Sequence, residues 1–236
     1  MKDTTTAVVL GKIPVGEKGQ VLKLWTRKHG PQAYIIPSIR SNKKGIRPAT
    51  LIPMTFLTAT VEHRKNGQLE KINEVEVAKV WRYLTTHHLR QAICLFLAEV
   101  LQKVLQEGDS SPKFFDEFIE MLESWDDLNT NLSMAINEFL LLIWKHLGFG
   151  INPEQFFEGC VFDLREGVFT SIKPVHTDFL TNQSSSALFN WIQDKSFVVS
   201  KDLRSEITDG LILGLKWHYP MLGKIYSLDV LKEVFL

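Results

Sequence analysis

Four bases, Arg40, Lys43, Lys44 and Arg47, stand within residues 40–47 with no acid among them. Such a cluster repels itself unless water or an anion meets it. Lys and Arg bind polyanions by neutralising phosphates and releasing counterions. Lys23, Arg27 and Lys28 precede the cluster, and Lys23 and Arg27 alternate with Trp25 along one side of a predicted strand. An indole between two cations can stack on a nucleobase, at about 1–3 kcal/mol per base. The same ring equally fills a barrel core or packs against a neighbouring element.

Catalytic chemistry finds little footing. There is no Gly-rich phosphate loop ending in Lys-Ser/Thr, no His-Glu-x-x-His and no Gly-x-Ser-x-Gly. Of the seven histidines only His87 and His88 adjoin, and neighbouring helical side chains point about 100° apart, a poor arrangement for sharing a metal. Cys160, Asp163 and His176 are the one set of thiolate, carboxylate and imidazole that offers a three-ligand zinc site, and with it an alternative reading as a zinc-dependent enzyme. Structural zinc more often uses paired Cys-x-x-Cys, which the chain lacks, so a buried Cys160 without metal, and a protein that is not an enzyme and needs no cofactor, is the expectation.

The elements around these residues change character near residue 79. Residues 4–10, 21–27, 32–36, 50–63 and 68–77 read as five strands, separated by the turn residues Pro14, Gly16, Gly19, His29-Gly30-Pro31 and Asn66-Gly67, with 38–48 as an exposed loop. Five strands in so short a stretch suit a small barrel of the OB type. From residue 80 the apolar period becomes helical. Leu89, Ile93, Phe96, Leu97, Val100, Leu101, Val104 and Leu105 form the first stripe, and Gly108 follows it. Ser111-Pro112 opens a second helix, whose Phe115, Phe118, Ile119, Leu122 and Trp125 lie opposite Asp116, Glu117, Glu120 and Glu123. Residues 131–147 are apolar on nearly all sides and read as a central buried helix. A hairpin at 160–170 and shorter helices near 186–193, 201–217 and 228–234 complete the α+β reading, with domains at 1–79 and 80–236.

Charge follows the same division. Among the 236 residues, 27 bases balance 27 acids, yet residues 1–79 hold 14 bases against 6 acids and the rest 13 against 21. Residues 11–50 alone carry nine bases and one acid, Glu17. A basic first third beside an acidic remainder points to different partners for the two parts, the first of them polyanionic. The alternatives are a solvated basic face that balances the acidic half, or an interaction scaffold whose basic barrel meets an acidic protein rather than DNA. The longest uncharged apolar run, 139–144, has six residues where a membrane span needs about 20. Two cysteines give no disulfide framework, the opening apolar run is too short for a signal-peptide core, and a cytoplasmic location is expected.

In Thr6-Ala7-Val8-Val9-Leu10, in Leu22-Lys23-Leu24-Trp25-Thr26-Arg27-Lys28-His29-Gly30 and in Arg40-Ser41-Asn42-Lys43-Lys44 the chain resembles the RecO family of DNA repair and recombination mediators, in its Bacteroidetes form. Leu51-Ile52-Pro53, Lys71-Ile72-Asn73-Glu74, Phe96-Leu97-Ala98-Glu99-Val100-Leu101 and Phe139-Leu140-Leu141 with Leu147-Gly148-Phe149 extend the likeness over most of the chain. The resemblance implies an OB-fold followed by a helical domain, binding of single- and double-stranded DNA, and annealing of complementary strands. It also implies work with RecR, the single-stranded DNA-binding protein SSB and, indirectly, RecF and RecA. Carried onto this chain, the DNA contacts are Lys23, Trp25, Arg27, Lys28, Arg40, Lys43, Lys44 and Arg47.

An SSB tail, acidic and ending in a hydrophobic residue, needs a base beside an apolar pocket on the helical domain. Arg90, Lys103, Lys145 and Arg165 qualify, and the sequence does not choose among them. Two departures stand out. Pro37-Ser38 replaces a Lys-Gly pair common in the family, and only Cys160 remains where many members carry a four-cysteine zinc site. The hairpin is therefore expected to hold by packing of Val161, Phe162, Leu164, Val168 and Phe169, without zinc.

Overall fold

The computed structural model describes residues 2–15, 19–36, 51–62 and 70–234, which form two compact units, Met1–Thr130 and Asn131–Leu236. In the first unit, β1 (Lys2–Val15), β2 (Gly19–Thr26), β3 (Gly30–Ile36), β4 (Phe56–Glu62) and β5 (Glu70–Lys79) close into a barrel of order β1-β2-β3-β5-β4. All pairings are antiparallel except β3 with β5. This is the five-stranded OB-type barrel expected from the strand count. Its inside is apolar: Ala7, Val9, Leu22, Leu24, Tyr34, Leu57, Ala59, Val61 and Ile72 alternate inward from their strands.

Two strand boundaries differ from expectation by more than two residues. β1 runs on to Val15, pairing Ile13 with Val21 and Val15 with Gly19, so a hairpin replaces the expected turn at Pro14. A register shift between Val9 and Gly11 lets β1 bend from one partner set to the next. β4 begins only at Phe56, because the preceding residues turn back onto the barrel. The Met54 N–H donates to the Val9 carbonyl at 2.8 Å, and the buried Trp81 indole donates to the Met54 carbonyl at 2.7 Å. Those bonds hold Met54 at a left-handed φ of 67° that a non-glycine residue rarely adopts.

Helices α1 (His88–Val104) and α2 (Pro112–Trp125) belong to the same compact unit as the barrel. The expected domain boundary at residue 79 marks where the strand period ends. The compact unit runs farther, to Thr130, because both helices cover outer faces of the barrel. Val8 pairs with Trp25 on one side and with Phe56 on the other, which lines up three apolar side chains on the barrel exterior. The aromatic stripe of α2 covers that row. Ser111 stands at the α2 N-cap position without a side-chain capping bond, and Pro112 opens the helix.

The second unit is built on α3 (Ala135–His146) and α5 (Lys201–His218). Trp144 of α3 is fully buried and donates its indole N–H to the Leu211 carbonyl at 3.1 Å. A Cβ at Gly214 would run into the Trp144 ring, so α5 can approach this closely only with glycine there. The expected hairpin is present as β6 (Val161–Asp163) and β7 (Val168–Thr170), and β8 (Phe179–Leu180) adds a third strand beside β6. Phe162 and Phe169 are buried, and Phe169 meets Phe156 at 5.4 Å between ring centroids. Helices α4 (Asn182–Gln193) and α6 (Ser227–Val234) complete the unit.

Candidate nucleic-acid interface

The turn between β2 and β3 presents bases in succession. The Thr26 hydroxyl donates to the Gly30 carbonyl and accepts the His29 N–H, both at 3.0 Å, which tightens the turn. Gly30 has φ 68°, and a Cβ there would strike the Asp109 carbonyl oxygen, so only glycine fits. Arg27, Lys28 and His29 project from this turn, and each meets an acid. The Arg27 Nε and Nη2 donate to Asp116 Oδ1 and Oδ2 of α2, each at 2.7 Å. The Lys28 ammonium donates to Asp3 Oδ1 at 2.9 Å, and His29 Nε2 lies 3.0 Å from Asp3 Oδ2. The Arg27 guanidinium holds the Asp116 carboxyl below the ordinary carboxylate range, and the Lys28 ammonium does the same for Asp3. Lys23, midway along the outer side of β2, donates to Gln102 of α1 at 3.2 Å.

Trp25 is a correction to the expected DNA contacts. Its ring is 1% exposed and lies 4.9, 5.0 and 5.2 Å, centroid to centroid, from Phe114, Phe115 and Phe118. No ring face is open to a nucleobase. The alternation along β2 does place Trp25 outside the barrel with Lys23 and Arg27, but α2 covers that part of the outside.

Arg40, Lys43, Lys44 and Arg47 lie outside the described residues. In the sequence they follow β3, which ends at Ile36, whereas Arg27 and Lys28 precede its start at Gly30. Near the Ile36 end, a cross-strand row on the outer surface joins Ile13, Val21, Ile35 and Lys71. Ile13 and Ile35 are 45% and 38% exposed, so this row offers apolar contact beside a base. Sequence reading did not single out Lys71. Its place beside Ile35 depends on the parallel β3–β5 register, which no local pattern reveals.

Arg90 is the second correction. It is 5% exposed, and its guanidinium donates to the carbonyls of Trp125, Asp127 and Leu128 at the end of α2, which leaves it no reach for a peptide carboxylate. Lys103 pairs with Glu99 one turn earlier on α1 at 2.9 Å, and Lys145 lies in the last turn of α3. Arg165 donates to Asp178 at 2.6 Å and stacks 4.1 Å from the centroid of Trp217, whose ring is half exposed.

The alternative metal site does not assemble. Cys160 is fully buried, the Asp163 carboxylate accepts the backbone N–H groups of Arg165 and Glu166, and His176 lies 3.3 Å from Asp163 through Nε2 while its Nδ1 accepts the Asp178 N–H at 3.2 Å. Among the described residues no three His, Cys, Asp or Glu side chains converge to hold a metal. His87 and His88 stack on each other at 4.8 Å. Among the described residues, no helix is long and apolar enough to cross a membrane.

The family models for Recombination protein O N terminal and Recombination protein O C terminal match residues 1–81 and 88–156. The DNA repair protein RecO of Phocaeicola vulgatus is 26% identical over 243 residues, covering 100% of both chains. The DNA repair protein RecO of Flavobacterium psychrophilum is 29% identical, again over 100% of both, and that of Azobacteroides pseudotrichonymphae is 25% identical over 98% of both. These names denote DNA repair and recombination rather than a catalysed reaction, which agrees with the reading of the chain as no enzyme. With an OB-type barrel where the N-terminal model matches and helices through most of the C-terminal match, the chain belongs to the RecO family of DNA repair and recombination proteins.

Proposed function

We propose that this protein binds single- and double-stranded DNA through the basic barrel, anneals complementary strands, and promotes RecA loading together with RecR and SSB, with RecF as a further partner, in the cytoplasm on the nucleoid. The observation that carries the reading is the concentration of nine bases against one acid in residues 11–50 of a RecO-family barrel. Strand annealing brings two polyanions together, so a protein that lowers their repulsion by neutralising phosphates speeds pairing without any covalent step. The contacts would come from Lys23, Arg27, Lys28, Arg40, Lys43, Lys44 and Arg47, with the outer row of Ile13, Ile35 and Lys71 beside them. Nothing among the described residues resembles a recognition helix, so sequence preference would be weak. For the SSB tail, Arg165 fits best of the remaining bases, since it lies against the half-exposed ring of Trp217.

The test is binding of a labelled oligo-dT strand across a salt series, for wild type and for a variant with Arg40, Lys43, Lys44 and Arg47 all changed to Ala. Each phosphate contact contributes about −0.7 to the log–log slope on single strands, so the variant is expected to lose about 3 of slope if all four bases touch phosphate. Equal slopes would move the DNA path away from 40–47. Absence of binding by wild type at low salt would replace DNA with an acidic protein partner for the barrel.

A further inference from the structure

The bases of the β2–β3 turn already hold carboxylates, and the geometry of one pair has a consequence for strand binding. We propose that Asp116 occupies on Arg27 the seat of a DNA phosphate, so that DNA binds at this end of the barrel by exchanging carboxylate for phosphodiester. The proposal rests on the reading of the barrel as a DNA-binding module.

Three observations carry it. The pair is fork to fork, with both guanidinium bonds at 2.7 Å, and a phosphodiester presents two oxygens to Arg in the same bidentate way. Both side chains are nearly half exposed, at 44% and 46%, so an incoming strand can reach the guanidinium, and a solvated pair is weak enough to be exchanged. The backbone on both sides is fixed: Arg27 donates its N–H to the Thr6 carbonyl at 2.9 Å, and α2 is anchored by its Phe residues around Trp25. Asp116 therefore cannot swing aside with its helix, and its carboxylate competes with phosphate at all times.

The arrangement repeats along α2. Glu123 lies seven residues after Asp116, on the same helix face about 10 Å farther on, and accepts from Lys79 at the end of β5 at 2.7 Å. One helix thus holds two barrel bases with two carboxylates. Its acids set the affinity of the barrel below what its count of bases implies, which keeps strand release possible for a protein that must leave its annealed product.

The experiment is a salt series of oligo-dT binding by fluorescence anisotropy with wild type, Asp116→Asn, Arg27→Ala and the double variant. Asp116→Asn is expected to tighten binding about five-fold at 0.1 M salt and to steepen the slope by about 0.7, the contribution of one added phosphate contact. Arg27→Ala alone is expected to weaken binding only slightly, since giving up Asp116 offsets most of what the phosphate contact gains, and in the Asp116→Asn background it is expected to abolish the gain. Binding by wild type with no change in Asp116→Asn would overturn the seat and leave the DNA reading standing. A gain that survives in the double variant would assign the effect to net charge rather than to Arg27. A loss with Arg27→Ala alone as large as in the Asp116→Asn background would show that Asp116 masks nothing. No binding by any of the four proteins at low salt would overturn the DNA reading itself. Circular dichroism of each variant checks that the fold is kept.

Discussion

Changing Trp25 to Ala is expected to lower the unfolding free energy by about 3–5 kcal/mol, the range for deleting a large buried aromatic. The indole joins the outside of the barrel to α2, and its three Phe neighbours would be left around a cavity too apolar to hold water. Urea unfolding followed by circular dichroism measures the loss as a lower midpoint at unchanged slope. A loss below about 1 kcal/mol would show that the ring is not part of this core. Trp25→Phe keeps an aromatic in place and is expected to restore most of the stability and to bind oligo-dT like wild type. If Trp25→Phe folds normally yet weakens binding by the roughly 1–3 kcal/mol of a lost stacking contact, the ring serves as a base platform after all.

Changing Arg90 to Ala is expected to cost about 3 kcal/mol, because it strips charged donors from the carbonyls of Trp125, Asp127 and Leu128, at or just beyond the end of α2. Arg90→Lys is expected to recover only part of this, since an ammonium lacks the planar fork that spans several carbonyls. The opposite bonding occurs next to it. The Asp126 carboxylate accepts the backbone N–H groups of Arg82, Tyr83 and Leu84 at 2.8, 2.8 and 3.0 Å. A guanidinium from α1 and a carboxylate from the end of α2 together tie α2 to the segment that leaves the barrel.

The Asp126 half of this tie is sensitive to pH. Burial pushes its carboxyl up, but the three N–H donors and Lys79 together outweigh burial and hold its pKa below the ordinary 3.8. Because the folded-state value lies below the unfolded one, the stabilisation is complete above about pH 4 and is lost as the pH falls through the lowered value. Asp126→Ala is therefore expected to be markedly less stable than wild type at pH 7, and the gap is expected to close on acidification below pH 4. A gap that stays constant into strong acid would show that the charge of Asp126 contributes nothing.

Much of the fold was legible from residue order because its signals are local. β-rich composition at 4–10, alternation along 21–27 and the turn residues between segments located all five barrel strands. The helical stripes at 89–105 and around 115–125 placed α1 and α2 within a residue or two. The ends of strands were less legible. The extension of β1 to Val15 and the late start of β4 at Phe56 depend on pairing with β2 and on bonds from Val9 and Trp81, partners distant in sequence. The two-residue strand β8 has no pattern of its own and exists because β6 offers it an edge.

The sequence by itself determined that a basic, strand-forming first third precedes an acidic helical remainder, since charge and hydrophobic period are properties of composition and spacing. Only the tertiary structure decided what each base meets. Trp25 stands on the outward side of β2 and Arg27 just past its end, yet α2 buries the first among Phe rings and pairs the second with Asp116, 89 residues away. Arg90 reads as an ordinary helical base until the end of α2, 35 residues on, takes it up. A side chain's burial and ionic partner depend on which distant segment packs against it, and that is settled only when the elements assemble.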